Sequence, residues 1–349
     1  MKFLIDDIIK QSRDQIPFSH EQLVYMLELM PDSPESYRLM AEAKRISREI
    51  TGDRMEVHAQ FALNLAPCPK NCMYCAFAAK NRIFRKSTKI SPDEAVDFAI
   101  RLEAAGVNAV YMMATAHYDF EELLDVIAEV KAALQPETVL VGNIGDQSVK
   151  DAAKLRDAGM EGVYHALRLR EGIDTGVDPR VRTEGLKNFK EAGVVVGTCV
   201  EPIGPEHTNG EIAEKILFTG SLMPGYSGAA RRISIPGTEM AERGMISEMR
   251  MAQIVAITRI GLPREVKGCC THEPYTLGAA AGASLFWAEI GANPRDTKEH
   301  TEEGRGFDPH ECRRIFQDAD CGLLNGPSIY YRPLATKSEG KISAEVMQT

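Results

Sequence analysis

Residues 57–77 read VHAQFALNLAPCPKNCMYCAF, and two features of that stretch set the fold and the chemistry. Its first seven residues, 57–63, alternate in polarity as a strand does. Directly after them come Cys68, Cys72 and Cys75, a C-x3-C-x2-C cluster in a loop. Three thiolates at that spacing can take three corners of an iron–sulfur cubane and leave the fourth iron open. A four-coordinate zinc site or an ordinary ferredoxin cluster needs a fourth protein ligand nearby, and this stretch offers none. A zinc knuckle or buried structural thiols is the alternative, although isolated zinc sites usually show paired C-x2-C units.

Outward from this stretch, a short β-rich run, a polar loop and an amphipathic helix recur. The expected strands are 57–63, 107–114, 138–144, 162–167, 194–200, 230–235, 265–270 and 284–290. Ser91-Pro92-Asp93-Glu94 is a capping box with proline at the first helical position, and Ala95, Phe98, Ala99 and Leu102 follow it as a buried stripe. Similar helices are expected at 120–134, 149–158, 182–192, 212–222 and 247–260. Ala105-Gly106, Ala158-Gly159 and Ala192-Gly193 are helix stops just ahead of strands. Eight such units predict a TIM-type (β/α)8 barrel over residues 51–300, with its site at the C-terminal strand ends. Residues 1–50 read as an N-terminal helical cap. Residues 301–349 read as a C-terminal helical segment and a mobile tail, beginning after Leu334.

The balance of 41 basic against 50 acidic residues, net −9, with no long basic tract, argues against nucleic acid as a partner. No window approaches 18 uninterrupted apolar residues, so no membrane span is expected. The start, MKFLIDDIIKQSRDQ, is too acidic for a signal peptide. Eight cysteines without a secretion signal fit thiols and metal in a reducing, cytoplasmic setting. An oxygen-labile cluster would also favour anaerobic life.

The cysteine spacing, with Tyr74 just before the last cysteine, resembles the signature of the radical S-adenosylmethionine (SAM) superfamily. In that family the amino and carboxylate groups of SAM chelate the open iron. The resemblance implies a [4Fe-4S] cluster at Cys68, Cys72 and Cys75, SAM as cofactor, and a one-electron reductant such as flavodoxin or ferredoxin. The reduced cluster passes an electron to SAM, and the resulting 5′-deoxyadenosyl radical takes hydrogen from a small-molecule or carrier-bound substrate. Residues 48–295 are similar to the biotin synthase branch, through the cysteine loop after the first strand, Ala256-Ile257-Thr258-Arg259-Ile260-Gly261-Leu262-Pro263 and Ala281-Gly282-Ala283-Ser284.

Residue by residue, the resemblance gives Arg182 the SAM carboxylate, which also explains a cation near a helix start, where the dipole disfavours one. Glu206 falls near a polar position that contacts SAM in relatives. Tyr74 and Phe77 can form an apolar wall beside the cofactor. The second strand ends in Met112-Met113-Ala114-Thr115-Ala116-His117, without the glutamate of the usual turn, so Thr115 or backbone carbonyls must hold the SAM amine. Strand four ends in Tyr164-His165-Ala166-Leu167-Arg168-Leu169-Arg170-Glu171. Alternation puts Tyr164, Ala166 and Arg168 on one face. Tyr164, Arg168, Arg170 and Glu171, with Arg231 beside Arg232 on strand six and Arg295 near Asn293 after strand eight, are candidate substrate contacts. Together they predict a cationic barrel mouth and an anionic substrate.

Cys199 lies in strand five, and Cys269-Cys270-Thr271-His272 ends strand seven. Adjacent cysteines on a regular strand face opposite ways, so Cys199, one of Cys269 and Cys270, and His272 are expected to hold a second iron–sulfur cluster or a persulfide. The bland alternative is buried free thiols. Cys312 and Cys321 form a further candidate pair near the C-terminus. Extra cysteines at the mouth suit sulfur insertion of the biotin/lipoyl synthase type. A maturase building a metal cofactor or a carbon-skeleton rearrangement stays open. So does a non-catalytic iron–sulfur or zinc-binding protein.

Overall fold

The computed structural model describes residues 3–65 and 67–331; the tail expected beyond Leu334 lies outside them. Eight parallel strands close into a barrel. They are β1 (Glu56–Ala62), β2 (Ala109–Met113), β3 (Val139–Asn143), β4 (Gly162–Tyr164), β5 (Val195–Gly197, continuing as Val200–Ile203), β6 (Tyr226–Arg231), β7 (Gly268–Cys270) and β8 (Leu285–Glu289). Each pairs with the next. β8 returns to β1 in the register Glu56↔Leu285 to Gln60↔Glu289, which completes the ring.

The helical shell begins with α1 (Ile5–Arg13), α2 (His20–Glu28) and α3 (Pro34–Thr51). The layer continues with α4 (Pro92–Ala104), α5 (Phe120–Ala133), α6 (Val149–Asp157), α7 (Pro179–Glu191), α8 (Asn209–Ser221), α9 (Glu248–Gly261), α10 (Thr276–Ala280) and α11 (Pro309–Asp318). Capping by the preceding residue sets most of the starts. Ser91 and Glu94 make the reciprocal capping box at α4, and Thr208 and Glu211 do so at α8. α7 starts three residues before the expected position because Asp178 caps it and Pro179 opens it.

α9 is buried at every position from Met251 to Ile260. It packs on β6 from one side, while α3 packs along its other side. An all-round apolar helix needs such cover, and the N-terminal helices supply it. Arg259, in the segment that resembles the biotin synthase branch, is fully buried and donates to the carbonyls of Val266 at 2.8 Å and Pro263 at 3.1 Å. Its work is to close its own helix. α11 packs on β8 and β1, in the place of the eighth barrel helix. No helix of the described residues is long and apolar enough to cross a membrane.

The N-terminal end of the barrel is plugged by the chain's own C-terminal segment. Ser328 N donates to Asn108 O at 2.7 Å, Ile329 N donates to Glu56 Oε1 at 2.9 Å, and the hydroxyls of Tyr331 and Tyr111 meet at 2.6 Å. Small residues make room for this plug: a Cβ on Gly162 would stand 2.1 Å from the Tyr331 ring. With that end filled, access is from the opposite face, where the cysteine loop follows β1.

Sequence and structure part at two strands. β6 begins four residues before the expected run, at Tyr226-Ser227-Gly228, a composition that reads as a turn. Glycine is required there because a Cβ on Gly228 would sit 2.0 Å from the Cys270 carbonyl of β7. β4 ends at Tyr164, so the expected alternation through Arg168 does not operate. Gly228→Ala must therefore push β7 aside. It is expected to lower the urea unfolding midpoint further than Ser91→Ala, whose lost cap costs about 1 kcal/mol. Equal midpoints for the two variants would contradict that close approach.

Candidate active site

The cysteine loop is fixed from three sides. Cys68 N donates to Phe77 O at 2.7 Å, and Ala79 N to Cys68 O at 3.0 Å, so the loop closes on itself. Asn81 Nδ2 donates to the Cys75 carbonyl at 2.8 Å from beneath. Ala76 N donates to Pro294 O at 2.9 Å, across to the segment after β8, and Met73 N to Asp174 O at 2.9 Å, across to the segment after β4. Cys68, Cys72, Cys75, Tyr74 and Phe77 border a single cavity at the barrel mouth. Phe77 packs edge-on against Phe84, with ring centroids 5.8 Å apart, in a small apolar layer over the opening.

Burial pushes the thiols of Cys72 and Cys75 upward, Cys75 to about 12, and the neighbouring sulfurs push the same way. Thiols placed like those of Cys72 and Cys75 become thiolates only when a cation shares their charge.

The wall beside the loop comes from the ends of β2 and β3: Met113 to Ala116, then Asn143 to Gly145. Thr115 is held by Asn64, which accepts from its amide at 2.9 Å and donates to its hydroxyl at 2.7 Å. Arg182, in the first turns of α7, borders the cavity and lies 3.1 Å from Asp146 and 3.7 Å from Glu171. His165 stands between them, 2.8 Å from Asp146 and 2.9 Å from Arg182. Burial, with Arg182 adding to it, drives His165 down to about 4 against the pull of Asp146, so the ring is neutral.

The far wall is made of Tyr164, Arg168, Glu201, Arg231, His272, Trp287 and Arg295. Burial opposes charge on Glu201, but His272 and Arg168 outweigh it and hold the carboxylate ionised. The expected cationic mouth is not there, because each lining arginine has a carboxylate of its own. Arg168 faces Glu201 at 3.6 Å, Arg182 faces Asp146, Arg232 grips Glu206 at 2.9 Å, Arg231 pairs with Glu273 and Arg295 with Glu289. Glu206 is thus bound to Arg232 and stands outside the cavity lining. Arg170 also lies outside it, in a left-handed turn at φ 53° facing Asp174 at 3.9 Å. Glu171 works from behind, accepting from Arg168 N at 3.0 Å and from Thr175.

Cys199, Cys270 and His272 converge just behind this far wall, their ligand atoms within 4.8 Å of one another. The sulfurs of Cys199 and Cys270 share a contact of 3.7 Å. Burial opposes charge on both thiols. The hydrogen bond with Cys199 and the His272 ring nevertheless pull Cys270 down to about 7, while Cys199 is pushed up. Cys269 faces outward, with its sulfur over Val255 O at 4.0 Å, and leaves the group. Cys312 lies under β8, 3.5 Å from Trp287 O, and Cys321 packs beside α3 against Lys44. Neither borders the cavity.

Residues 67–218 match the family model described as the radical SAM superfamily. The chain carries a radical SAM domain. It is similar to biotin synthases: 26% identical over 247 residues to that of Carboxydothermus hydrogenoformans, covering 64% of this chain and 72% of the relative. To that of Delftia acidovorans it is 26% identical over 265 residues, covering 72% and 73%. In fold it is similar to methylornithine synthase, with TM-score 0.77 at 14% identity over 91% of this chain and 97% of the other. It is similar also to the FeFe-hydrogenase maturase HydG of Carboxydothermus hydrogenoformans, with TM-score 0.76 at 18% identity over 94% and 81%. Residues 67–218 thus form a radical SAM domain, and the chain around them is similar to the biotin synthase branch.

The radical SAM domain fits its cofactors. The three-thiol set lacks a fourth protein ligand in its loop, and the adjoining wall carries both apolar surface and Arg182. Asp146, His165, Glu201 and Trp287 were not singled out from sequence. The signal was available for two of them: Glu201 comes right after the expected strand 194–200 and Asp146 two residues after the expected strand 138–144, at the end where barrel enzymes keep their sites.

His165 generates a pH prediction. Its folded value of about 4 lies below the 6.5 of an ordinary histidine. Between these values the unfolded chain binds a proton that the folded chain refuses, so stability falls as pH falls through the window, on the order of 2 kcal/mol by about pH 5. Unfolding midpoints at about pH 7.5 and about pH 5 should drop less for His165→Asn than for wild type; equal drops would contradict it.

Proposed function

We propose that this enzyme inserts sulfur into an unactivated carbon of a small or carrier-bound substrate. The observation that carries the reading is the Cys199–Cys270–His272 group, set inside the same barrel whose mouth bears the three-cysteine loop. Cys68, Cys72 and Cys75 would hold a [4Fe-4S] cluster, which would supply one electron to SAM and so release methionine and a hydrogen-abstracting 5′-deoxyadenosyl radical. Cys199, Cys270 and His272 are suited to hold a second iron–sulfur group as the source of sulfur, since one of the thiols is already acidic and imidazole and thiolate both bind iron.

The chain's other residues position and shield. Arg182 offers SAM a carboxylate partner, with Asp146 and neutral His165 fixing the guanidinium. Thr115, locked by Asn64, is placed for the amino group, and Phe77 and Ile233 wall the site against water. Glu201 holds Arg168 and His272 on the substrate side. An anionic substrate group would have to compete with the internal carboxylates for these arginines. A one-electron reductant such as a flavodoxin or ferredoxin fits the open cysteine face.

The test is an iron and sulfide count after anaerobic reconstitution. The Cys68→Ala/Cys72→Ala/Cys75→Ala variant should keep about two to four irons, and Cys199→Ser/Cys270→Ser should keep about four. A triple variant that binds no iron would remove the sulfur source. Cofactor maturation or a carbon-skeleton rearrangement would then be the better account.

A further inference from the structure

Three buried polar atoms without a hydrogen-bond partner among the described residues lie around one compartment: Trp287 Nε1, Tyr164 Oη and His272 Nε2. Their rings stand in a triangle. The centroids are 5.6 Å apart between Tyr164 and Trp287, and 5.4 Å from His272 to each. All three border the cavity, and Tyr226 lies below as a floor, its ring parallel to that of Tyr164. Trp287 is 2% exposed and Tyr164 4%, so bulk water does not serve them. Buried polar groups are bonded in all but a few cases, and an unmade bond is costly. Three such atoms around one space therefore indicate a ligand.

The donor chemistry limits what that ligand is. An indole N–H only donates. The Tyr164 phenol hydroxyl also has a hydrogen to give. It makes no well-formed bond to Glu201. His272 turns Nδ1 to Glu201 Oε2 at 3.2 Å, which leaves Nε2 toward the metal-ligating thiols or the compartment. Arg168, Arg231 and Arg295 beside these rings are matched to carboxylates, so the indole and the phenol are the neutral donors that this part of the cavity has left to offer. Two donors flanking one space suit an sp² oxygen with two lone pairs. They reject an ammonium group, which would bring only further donors.

We infer that Trp287 and Tyr164 hold a carbonyl or carboxylate oxygen of the substrate, next to Cys199 and Cys270. This deepens the proposed function and rests on its reading that a substrate occupies this barrel for hydrogen abstraction. An oxygen fixed at that point orients the attached alkyl chain between the SAM wall and the thiols. Trp287 and Tyr164 are then specificity residues, and the carbon that reacts is set by its distance along the chain from that oxygen.

Trp287 is the one tryptophan of the chain, so its emission reports on this compartment. The experiment uses the anaerobically reconstituted enzyme with SAM, titrated by calorimetry with hexanamide and separately with hexanoate, while emission is followed. Binding of one or both with a change in emission is expected. Hexanamide alone marks an amide or ester carbonyl, and hexanoate alone marks a carboxylate. Tyr164→Phe and Trp287→Phe should each weaken the bound probe about five- to tenfold. Tyr164→Phe should not lower the melting temperature of the probe-free enzyme, because the hydroxyl removed has no partner to lose. No heat from either probe, unchanged affinity in both variants, or a clear fall in the melting temperature of Tyr164→Phe would each overturn the assignment. Probe-free SAM cleavage by the same wild-type preparation separates the two readings: cleavage without probe binding defeats this inference alone, and absent cleavage defeats the radical reading.

Discussion

The pairing of β8 with β1 is the constraint on which the site depends. Without it the cysteine loop would hang from the end of one strand with nothing opposite. Closing the ring brings Pro294 over the loop to take a hydrogen bond from Ala76, and it sets Trp287 and His272 across from Tyr164. A cluster held by three residues of one short loop would need that bracing, since the ligands must hold their places before iron arrives. The other end of the barrel is closed by tyrosines of the C-terminal segment, so among the described residues the cysteines stand at the open end.

The electrostatic organisation follows from burial. Six basic residues line the cavity, and the five arginines among them are each matched to an acid. An isolated buried cation would be expensive, and a matched one keeps its charge without attracting stray anions. A compartment built this way can host a reactive radical because few of its groups are left free to react. It also makes the lining atoms that lack a hydrogen-bond partner, Trp287 Nε1 and Tyr164 Oη among them, exceptions in an otherwise paired wall.

Much of this was legible in sequence. The cysteine spacing, the strand–helix recurrence and the capping box at Ser91 all declare themselves locally, because each is a property of neighbouring residues. Glu206 and Arg170 were not readable in the same way: proximity to a strand end put Arg170 on the candidate list and the resemblance put Glu206 there, and only the tertiary structure shows Glu206 turned to Arg232. β6 was misplaced because Gly228 suits a turn as well as a tight strand contact. The inward face of Cys270 and the outward face of Cys269 were limited by alternation to one of two choices, and the barrel decided between them.

The most direct test of the account is SAM cleavage. Wild-type enzyme, reconstituted with iron and sulfide without oxygen and reduced with dithionite, should convert SAM to 5′-deoxyadenosine and methionine. Cys75→Ala should form neither above background. Wild-type enzyme that carries a full complement of iron yet leaves SAM intact, or a Cys75→Ala variant that cleaves it as well as wild type, would contradict the account.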